Sequence, residues 1–351
     1  MTGSNPTTTK TIKVRVRDKH ARLLRAMAYE TNQVWNFCAE LSARMASERG
    51  QWMTGFDLQR YTNGASKEFE HVGSPTVQQV CEEYASKRRC AKRLRLRWRT
   101  SFGERRSLGW IPFKARAAKP KNGQVFCAGH HFSVWDSYGL SQYTFRSGCF
   151  SEDARGRWYL CVAVAVPVVM SMGQGAVGID LGLKATATCS DGQVLEGRTY
   201  RRHEKVLASA QRARHKRRVR AIHAKIRNQR QDALHKFSTR LVGQYGEIYV
   251  GNVSSTKLAK TKMAKSVLDA GWSSLKTMLK HKSAAAGIVY QEVNEAHTTR
   301  GGSECGSLTG PQGLRGLSVR EWHCSGCGVW NDRDVNAARN MCHLGAGHRA
   351  P

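Results

Sequence analysis

The stretch VGIDLGLKATA, Val177 to Ala187, decides how the second half of this chain is read. Its first residues are uncharged and stop at Asp180, and Leu181, Gly182 and Leu183 then turn the chain into a second strand, ATATC. A carboxylate at the end of an apolar strand leaves the sheet edge, where it can share a divalent ion with phosphate. It can equally initiate a turn. Downstream, helical and strand patterns alternate. Tyr200 to Val242 reads as a long helix or helix pair, with Val219, Ile222 and Ile226, then Leu234, Phe237 and Leu241, as an apolar stripe at helical spacing. The strand IYVGNV follows, then a helix through SVLDAGWSSLKTMLKHK, the strand GIVYQEV, a glycine-rich insertion and the segment DRDVNAARNM. This order predicts an α/β domain.

Upstream the character differs. TIKVRVRD alternates apolar and basic residues like a half-buried strand, and His20 to about Trp98 is helical in pattern. GWIPFKA, QVFCAGHHFSVW, SQYTFRSGCF and RWYLCVAVAVPV then return to strands. The simplest organisation is a β-barrel interrupted by a helical insertion. A short glycine-containing linker, Met172 to Ala176, separates it from the α/β domain.

Charge narrows the function. Lys and Arg number 57 against 26 Asp and Glu, giving +31 and a pI near 10.2 in a chain that still has 40% hydrophobic residues. Such a surface calls for a polyanion, and nucleic acid fits better than a membrane because no basic helix carries a wide apolar face opposite its charge. No signal peptide or membrane span is recognisable, so a prokaryotic cytosolic or nucleoid location is expected. Eleven cysteines are then mostly reduced, and all but Cys305, Cys324 and Cys327 read as small buried hydrophobes.

In DRDVNAARNM, Asp334 begins a helix whose Ala337 and Ala338 allow close approach to a sheet, so its carboxylate can meet that of Asp180. Asp332 is a plausible N-cap. VGIDLGLKATA, LAKTKMAKSVLDAGWSSLKTMLKHK, the split pair SECG and CSGCG, and DRDVNAARNM together resemble the transposon-encoded TnpB proteins and the miniature type V CRISPR effectors related to them. The N-terminal half resembles them more loosely. The resemblance implies a multidomain α+β and α/β fold. A wedge-like β-barrel would occupy 1–18 and 101–172, with a helical recognition insertion at 19–100. A RuvC-like RNase H fold would occupy 173–297 and 331–351, with a zinc-knuckle-like insertion at 298–330. It further implies a guide RNA, a double-stranded DNA target, and two magnesium ions held by three carboxylates.

Residue by residue, Asp180 matches the first catalytic aspartate and Asp334 the last. The family usually ends the strand equivalent to IYVGNV with glutamate, and here Gly251 stands in its place. In an RNase H sheet the next strand out is GIVYQEV, and a side chain from its end must pass over position 251, where glycine leaves space. Glu292 and Glu295 both stand at the end of that strand, Glu295 nearer the loop, and the resemblance to a subset of the family with the same glycine and a similar EVNEA segment implies that Glu295 supplies the third carboxylate, with Glu292 as the alternative. The knuckle departs as well. Cys305, Cys324 and Cys327 would bind zinc, but Gly302 replaces the first cysteine of the usual four, leaving His297 or His323 as candidate fourth ligands. A structural zinc is worth roughly 10–16 kcal/mol in finger peptides, so losing a ligand should weaken or abolish the site.

Between Arg201 and Arg230 twelve residues are Lys or Arg and Glu204 is the one acidic residue. Arg212, Arg214, Lys216, Arg217, Arg218, Arg220, Lys225, Arg227 and Arg230 are expected to line phosphates, and Arg88, Arg89, Lys92 and Arg93 to form a second basic groove, with Trp98 available for stacking. The expected function is an RNA-guided DNA endonuclease in which the protein reads only a short flanking motif. Gly251 keeps open a nuclease-dead RNA-guided repressor. A transposon accessory protein that binds nucleic acid without guided cleavage is the third reading.

Overall fold

Alternation along Thr7–Val16 (β1) buries Ile12, Val14 and Val16 and turns Lys13 and Arg15 outward. The computed structural model describes residues 7–316 and 318–347, and the chain divides into two units, Met1–Pro167 and Val168–Pro351. After β1 the first unit runs through the helices Ala21–Arg49 (α1), Gly55–Tyr61 (α2) and Ser74–Ala91 (α3). Its remaining strands are Trp110–Phe113 (β2), Ala118–Lys121 (β3), Gln124–Cys127 (β4), His130–Phe132 (β5), Val134–Trp135 (β6), Phe145–Glu152 (β7) and Trp158–Pro167 (β8). One antiparallel sheet has the order β2-β7-β8-β1-β6, and β3-β4-β5 form a separate meander. Both sheets contribute to one core, where Val125, Cys127 and Phe132 of the meander join Ile12, Phe150, Leu160 and Val162 of the larger sheet.

The helices carry a core of their own, in which Val34, Trp35, Cys38 and Met45 of α1 meet Val77, Val80, Cys81 and Tyr84 of α3. The helical pattern expected as far as Trp98 stops at Ala91. Lys92 adopts a left-handed conformation, φ 49°, and caps α3. The irregular stretch after it is bound back to α1: Trp35 Nε1 donates to Arg97 O at 3.2 Å, and Asn36 exchanges hydrogen bonds with Arg99. Of the cysteines expected to be buried, Cys90 is exposed and Cys149, Cys161 and Cys342 are only partly covered.

In the second unit the strands Ala176–Asp180 (β9), Ala185–Cys189 (β10) and Val194–Glu196 (β11) form an antiparallel meander. The helices Thr199–Arg212 (α4) and Lys216–Gln244 (α5) come next, then Glu247–Gly251 (β12), Ser255–Leu258 (α6), Ala264–Ala270 (α7), Trp272–Ala286 (α8) and Val289–Val293 (β13). Gly313–Gly316 (α9), Glu321–His323 (β14), Trp330–Asp332 (β15) and Arg333–Gly345 (α10) complete the order. The main sheet runs β11-β10-β9-β12-β13, with β9, β12 and β13 parallel. Buried Ile226, Leu234, Phe237 and Leu241 show the stripe expected on α5, while Val219 and Ile222, nearer its start, are only partly covered. Helix α10 lies directly on β9: a Cβ on Gly178 would collide with the carbonyl oxygen of Ala338, so only glycine permits this approach.

Candidate functional site

Asp180 closes β9 opposite Thr188 of β10. Asp334 reaches the same region from the first turn of α10, whose N-cap is Asp332, accepting from the Asp334 and Val335 amides at 3.0 and 2.8 Å. Asp332 is thereby spent on the helix terminus and frees Asp334. Gly251 ends β12 opposite Val293 of β13, and Glu295 lies two residues beyond that partner. The Glu295 carboxylate folds back over the glycine: its Oε2 stands 3.0 Å from the point a Cβ on Gly251 would occupy, beside Met341 Cε at 2.9 Å.

Electrostatics tie the three acids together. Burial, then the charge of Asp334, then that of Glu295, push the Asp180 carboxyl up to about 7, against the pull of Arg333 and the Leu181 amide. Burial also raises Glu295, opposed by Lys276 and a Val253 backbone hydrogen bond. Glu292 lies elsewhere. It is exposed, accepts from Lys276 Nζ at 2.8 Å and from the Tyr290 hydroxyl at 3.3 Å, and so is held on the far side of the edge strand. Arg320 Nη1 meets Asp334 Oδ2 at 3.0 Å, an exposed pair that a divalent ion could displace at little cost.

Several contributors carried no motif. Asn336 and Asn340, both buried, donate to Thr298 O and Gly301 O at 2.7–3.2 Å and so fasten the loop that begins at Glu295. Their i, i+4 spacing inside an alanine-containing helix is the one signal a sequence reading could have used. Lys276 is the other contributor, holding Glu292 while its charge bears on Glu295.

Hard oxygen donors around a desolvated, mutually repelling group suit magnesium. Their ligand atoms are not gathered around one point, since among the described residues only Cys305, Cys324 and Cys327 bring such atoms within 4.8 Å of one another. In the thiol cluster, Cys305 and Cys324 are 3.5 Å apart, and the hydroxyl of Thr309, followed by backbone amides, draws the Cys324 thiol down to about 6. A Cβ on Gly302 would lie 3.3 Å from Cys305 Sγ and 3.5 Å from Cys324 Sγ. Neither His297 nor His323 joins the group. The donors therefore fit zinc incompletely, with three thiols and a glycine at the fourth corner.

Most of the expected phosphate contacts are exposed: Arg212, Arg214, Lys216, Arg217, Arg218, Arg220, Lys225 and Arg227 on or between α4 and α5, and Arg89, Lys92 and Arg93 at the end of α3. Two differ. Arg88 is buried, with its guanidinium donating to Ser42 Oγ and to Met53 O, the latter at 2.8 Å. Arg230 turns inward to Leu268 O at 3.2 Å and Asp269 at 3.6 Å. Both are consumed inside their units, because each helix face that packs must satisfy the polar groups it covers.

Two family models match: "Cas12f1-like, TNB domain" over residues 272–341 and "Probable transposase" over residues 159–262. A "Putative RNA-guided DNA endonuclease" of Streptomyces pristinaespiralis is 34% identical over 212 residues, 56% of this chain and 52% of that protein. "Putative RNA-guided DNA endonuclease InsQ" of Escherichia coli (strain K12) is 30% identical over 226 residues, 55% of this chain and 54% of that protein. The chain thus spans about half the length of the curated relatives it matches. In structure, the protein of a Cas12f1-sgRNA-target DNA complex superposes with a TM-score of 0.61 at 12% identity, over 96% of this chain and 99% of that one. That last likeness is one of fold. Among the described residues no helix is long and apolar enough to cross a membrane.

Proposed function

We propose that this chain, a relative of the TnpB and Cas12f1-like proteins, is an RNA-guided DNA endonuclease whose catalytic carboxylates are Asp180, Glu295 and Asp334. The observation that carries the reading is the Glu295 carboxylate, which occupies the room left by Gly251 on the side facing the two aspartates. The sheet order, three antiparallel strands continued by two parallel ones, supports an RNase H-type core. In the first unit, the two sheets around one core are compatible with a wedge-like barrel, and the separate core of α1 to α3 with a recognition insertion.

Two magnesium ions bound there would activate water and stabilise the leaving oxygen of a phosphodiester. The chain's own part is to hold the acids. Asp180 sits on a rigid strand at the centre of the group, Asp334 is aimed by the Asp332 cap, and Glu295 is positioned by the loop that Asn336 and Asn340 fasten. Without a cation, burial and the charges of Asp334 and Glu295 push the Asp180 carboxyl up to about 7, so it is only partly ionised near neutral pH. A cation held by Asp180 would favour its ionised form. The exposed arginines and lysines of α4 and α5 would run along RNA or heteroduplex phosphates, leaving sequence choice to base pairing and a short flanking motif.

A nuclease-dead repressor is the competing reading, favoured by the missing glutamate at 251. Purifying the protein with its locus-encoded RNA and offering a matched DNA target with magnesium decides between them. Cleavage lost in Asp180→Asn with target binding kept supports the endonuclease. Guided binding without cleavage by the unaltered protein supports the repressor. Recovery of RNA-free protein with no affinity for that RNA at moderate salt removes the guided function altogether.

A further inference from the structure

The helical part of the first unit carries a cleft of about 650 Å³ between α2 and the end of α3, lined by Trp52, Met53, Phe56, Ala85, Arg89 and Lys92 among others. Trp52 is 55% exposed and Phe56 65% exposed, unusual for side chains of this size at the mouth of a cleft. The buried Arg88 lies beneath: its guanidinium carbon is 4.9 Å from the centre of the Trp52 ring, and its hydrogen bonds to Ser42 and Met53 O fix it. One face of Trp52 therefore rests on an immobile cation and the indole stays presented to solvent. Holding an aromatic ring in place before its partner arrives removes ordering cost from binding.

The charge around the cleft is equally one-sided. Arg89 and Lys92 line it and are exposed, and Arg93 follows them. Glu82, the acidic group at its wall, is occupied by Lys114 at 2.8 Å and Gln59 at 3.0 Å. Apolar aromatic surface beside unbalanced positive charge is the combination that binds an unstacked base together with its phosphate. An apolar protein side chain would use the aromatics and leave the cations without a partner.

We infer that this cleft is a binding site for an unpaired nucleotide of a single-stranded nucleic acid segment, its base stacked on Trp52 or Phe56 and its phosphate against Arg89 and Lys92. Arg88 is then a positioning residue that braces Trp52, and not the phosphate contact its place in a basic run suggests. The site belongs to a different unit from the carboxylates and does not depend on cleavage.

The test uses full-length protein and two labelled probes of about twelve nucleotides: oligoadenylate and an abasic phosphodiester chain of equal length. Trp52→Ala and Phe56→Ala remove exposed side chains, and circular dichroism with sedimentation velocity checks fold and association state. The expected result is weaker binding of oligoadenylate by about 5- to 150-fold for at least one of them, with the abasic chain bound as before. Arg89→Ala with Lys92→Ala should weaken both probes alike and lower the salt dependence. Arg88→Lys, which keeps charge but not the planar brace, should reproduce part of the Trp52→Ala loss on oligoadenylate alone. Equal oligoadenylate affinity in the unaltered protein and both aromatic variants overturns the inference. So does an equal loss on the abasic chain, or a change confined to self-association, which would make the cleft a contact between copies.

Discussion

Gly251 and Gly302 both stand where the family resemblance calls for a metal-ligating side chain, and their surroundings answer the loss in opposite ways. At Gly251 the neighbouring parallel strand brings Glu295 into the vacated room, its oxygen 3.0 Å from the glycine's would-be Cβ. At Gly302 no acidic, histidine or cysteine side chain joins the three thiols among the described residues. The difference lies in what the two sites rest on. The carboxylate group is built on a five-stranded sheet and a helix packed against it, so a residue two positions past a strand end has a defined place. The thiol group is built on a two-stranded ribbon of three-residue strands and turns, and α10, which bonds Gly301 and Ser303 on either side of the glycine through Asn336 and Asn340, offers it amides and no metal ligand. A neighbouring strand can bring a side chain into a place vacated in a sheet; the turns that carry the thiols bring no further acidic, histidine or cysteine side chain among the described residues.

The largest test of this contrast is Glu295→Gln. It removes charge at nearly constant volume, and magnesium-dependent cleavage should fall by about three orders of magnitude or more, the scale at which losing a transition-state electrostatic partner acts. Glu292→Gln, whose carboxylate is tied to Lys276, should change cleavage less than about threefold, within the usual effect of an exposed ion pair. Gly251→Glu in the Glu295→Gln background should restore a measurable fraction, because it returns a carboxylate to the place the family resemblance assigns, with crowding by the nearly isosteric amide at position 295 limiting the recovery. Single-turnover assays with RNA supplied read all three, and loss by Glu292→Gln alone would reverse the assignment.

At the thiols the reverse substitution is the informative one. Gly302→Cys adds a fourth thiolate at a corner already 3.3–3.5 Å from two sulfurs. If each thiolate carries about a quarter of the roughly 10–16 kcal/mol of a structural zinc, retention against a chelator should improve by about two orders of magnitude. Cys324→Ser should release zinc. Elemental analysis after graded chelation measures both, and equal retention in Gly302→Cys and the unaltered protein would mean that the fourth corner is already filled.

How far the sequence leads depends on which physics sets each feature. Asp180 and Asp334 are legible because a strand that ends in a charge and a helix with small residues on one face are periodic signals. Strand adjacency and the absent side chain at 251 narrow the third carboxylate to Glu292 or Glu295, and the resemblance to a subset of the family with the same glycine supports its relocation to Glu295. Arg88 is not legible: a run of basic residues does not reveal which helical face packs, and here that face meets Ser42 and Met53. The sequence leaves Tyr200 to Val242 as one long helix or a pair, since every residue around the break is a tolerable helix former or a charge, and the structure breaks it between α4 and α5, with Arg214 at φ 53°. Asn336 and Asn340 act through hydrogen bonds to the backbone of a distant loop, which no local pattern reports.

A smaller effect comes from the repulsion among the carboxylates. Asp180 is raised in the folded protein, to about 7 from an ordinary value of 3.8, so between those pH values the folded state binds more protons than the unfolded one. Its contribution to stability is therefore favourable at low pH and is lost as pH rises through about 7. Asp180→Asn should stabilise the magnesium-free protein by about 1–3 kcal/mol near pH 8 and by little near pH 4. Denaturant melts of both proteins at the two pH values check the sign. An advantage that grows toward pH 4 would show that Asp180 is paired and not repelled.

The smallest effect separates the two glycines most directly. A Cβ at 251 would press on Met341 Cε at 2.9 Å and Glu295 Oε2 at 3.0 Å, both at the far ends of flexible side chains. Gly251→Ala should therefore cost only about 1 kcal/mol, a drop of roughly 2–4 °C in Tm. The displaced atom is the proposed catalytic oxygen, so cleavage should fall further than stability does. At 302 the nearest atoms are sulfurs at 3.3 and 3.5 Å and Trp322 at 3.8 Å, which gives a methyl more room. Gly302→Ala should shift Tm less than Gly251→Ala and leave cleavage unchanged. Thermal melts paired with cleavage rates measure both quantities on the same preparations. If the two alanine variants lose cleavage equally, the carboxylate of Glu295 is not what fills the space at Gly251 during the reaction, and the contrast between a relocated ligand and a lost one fails.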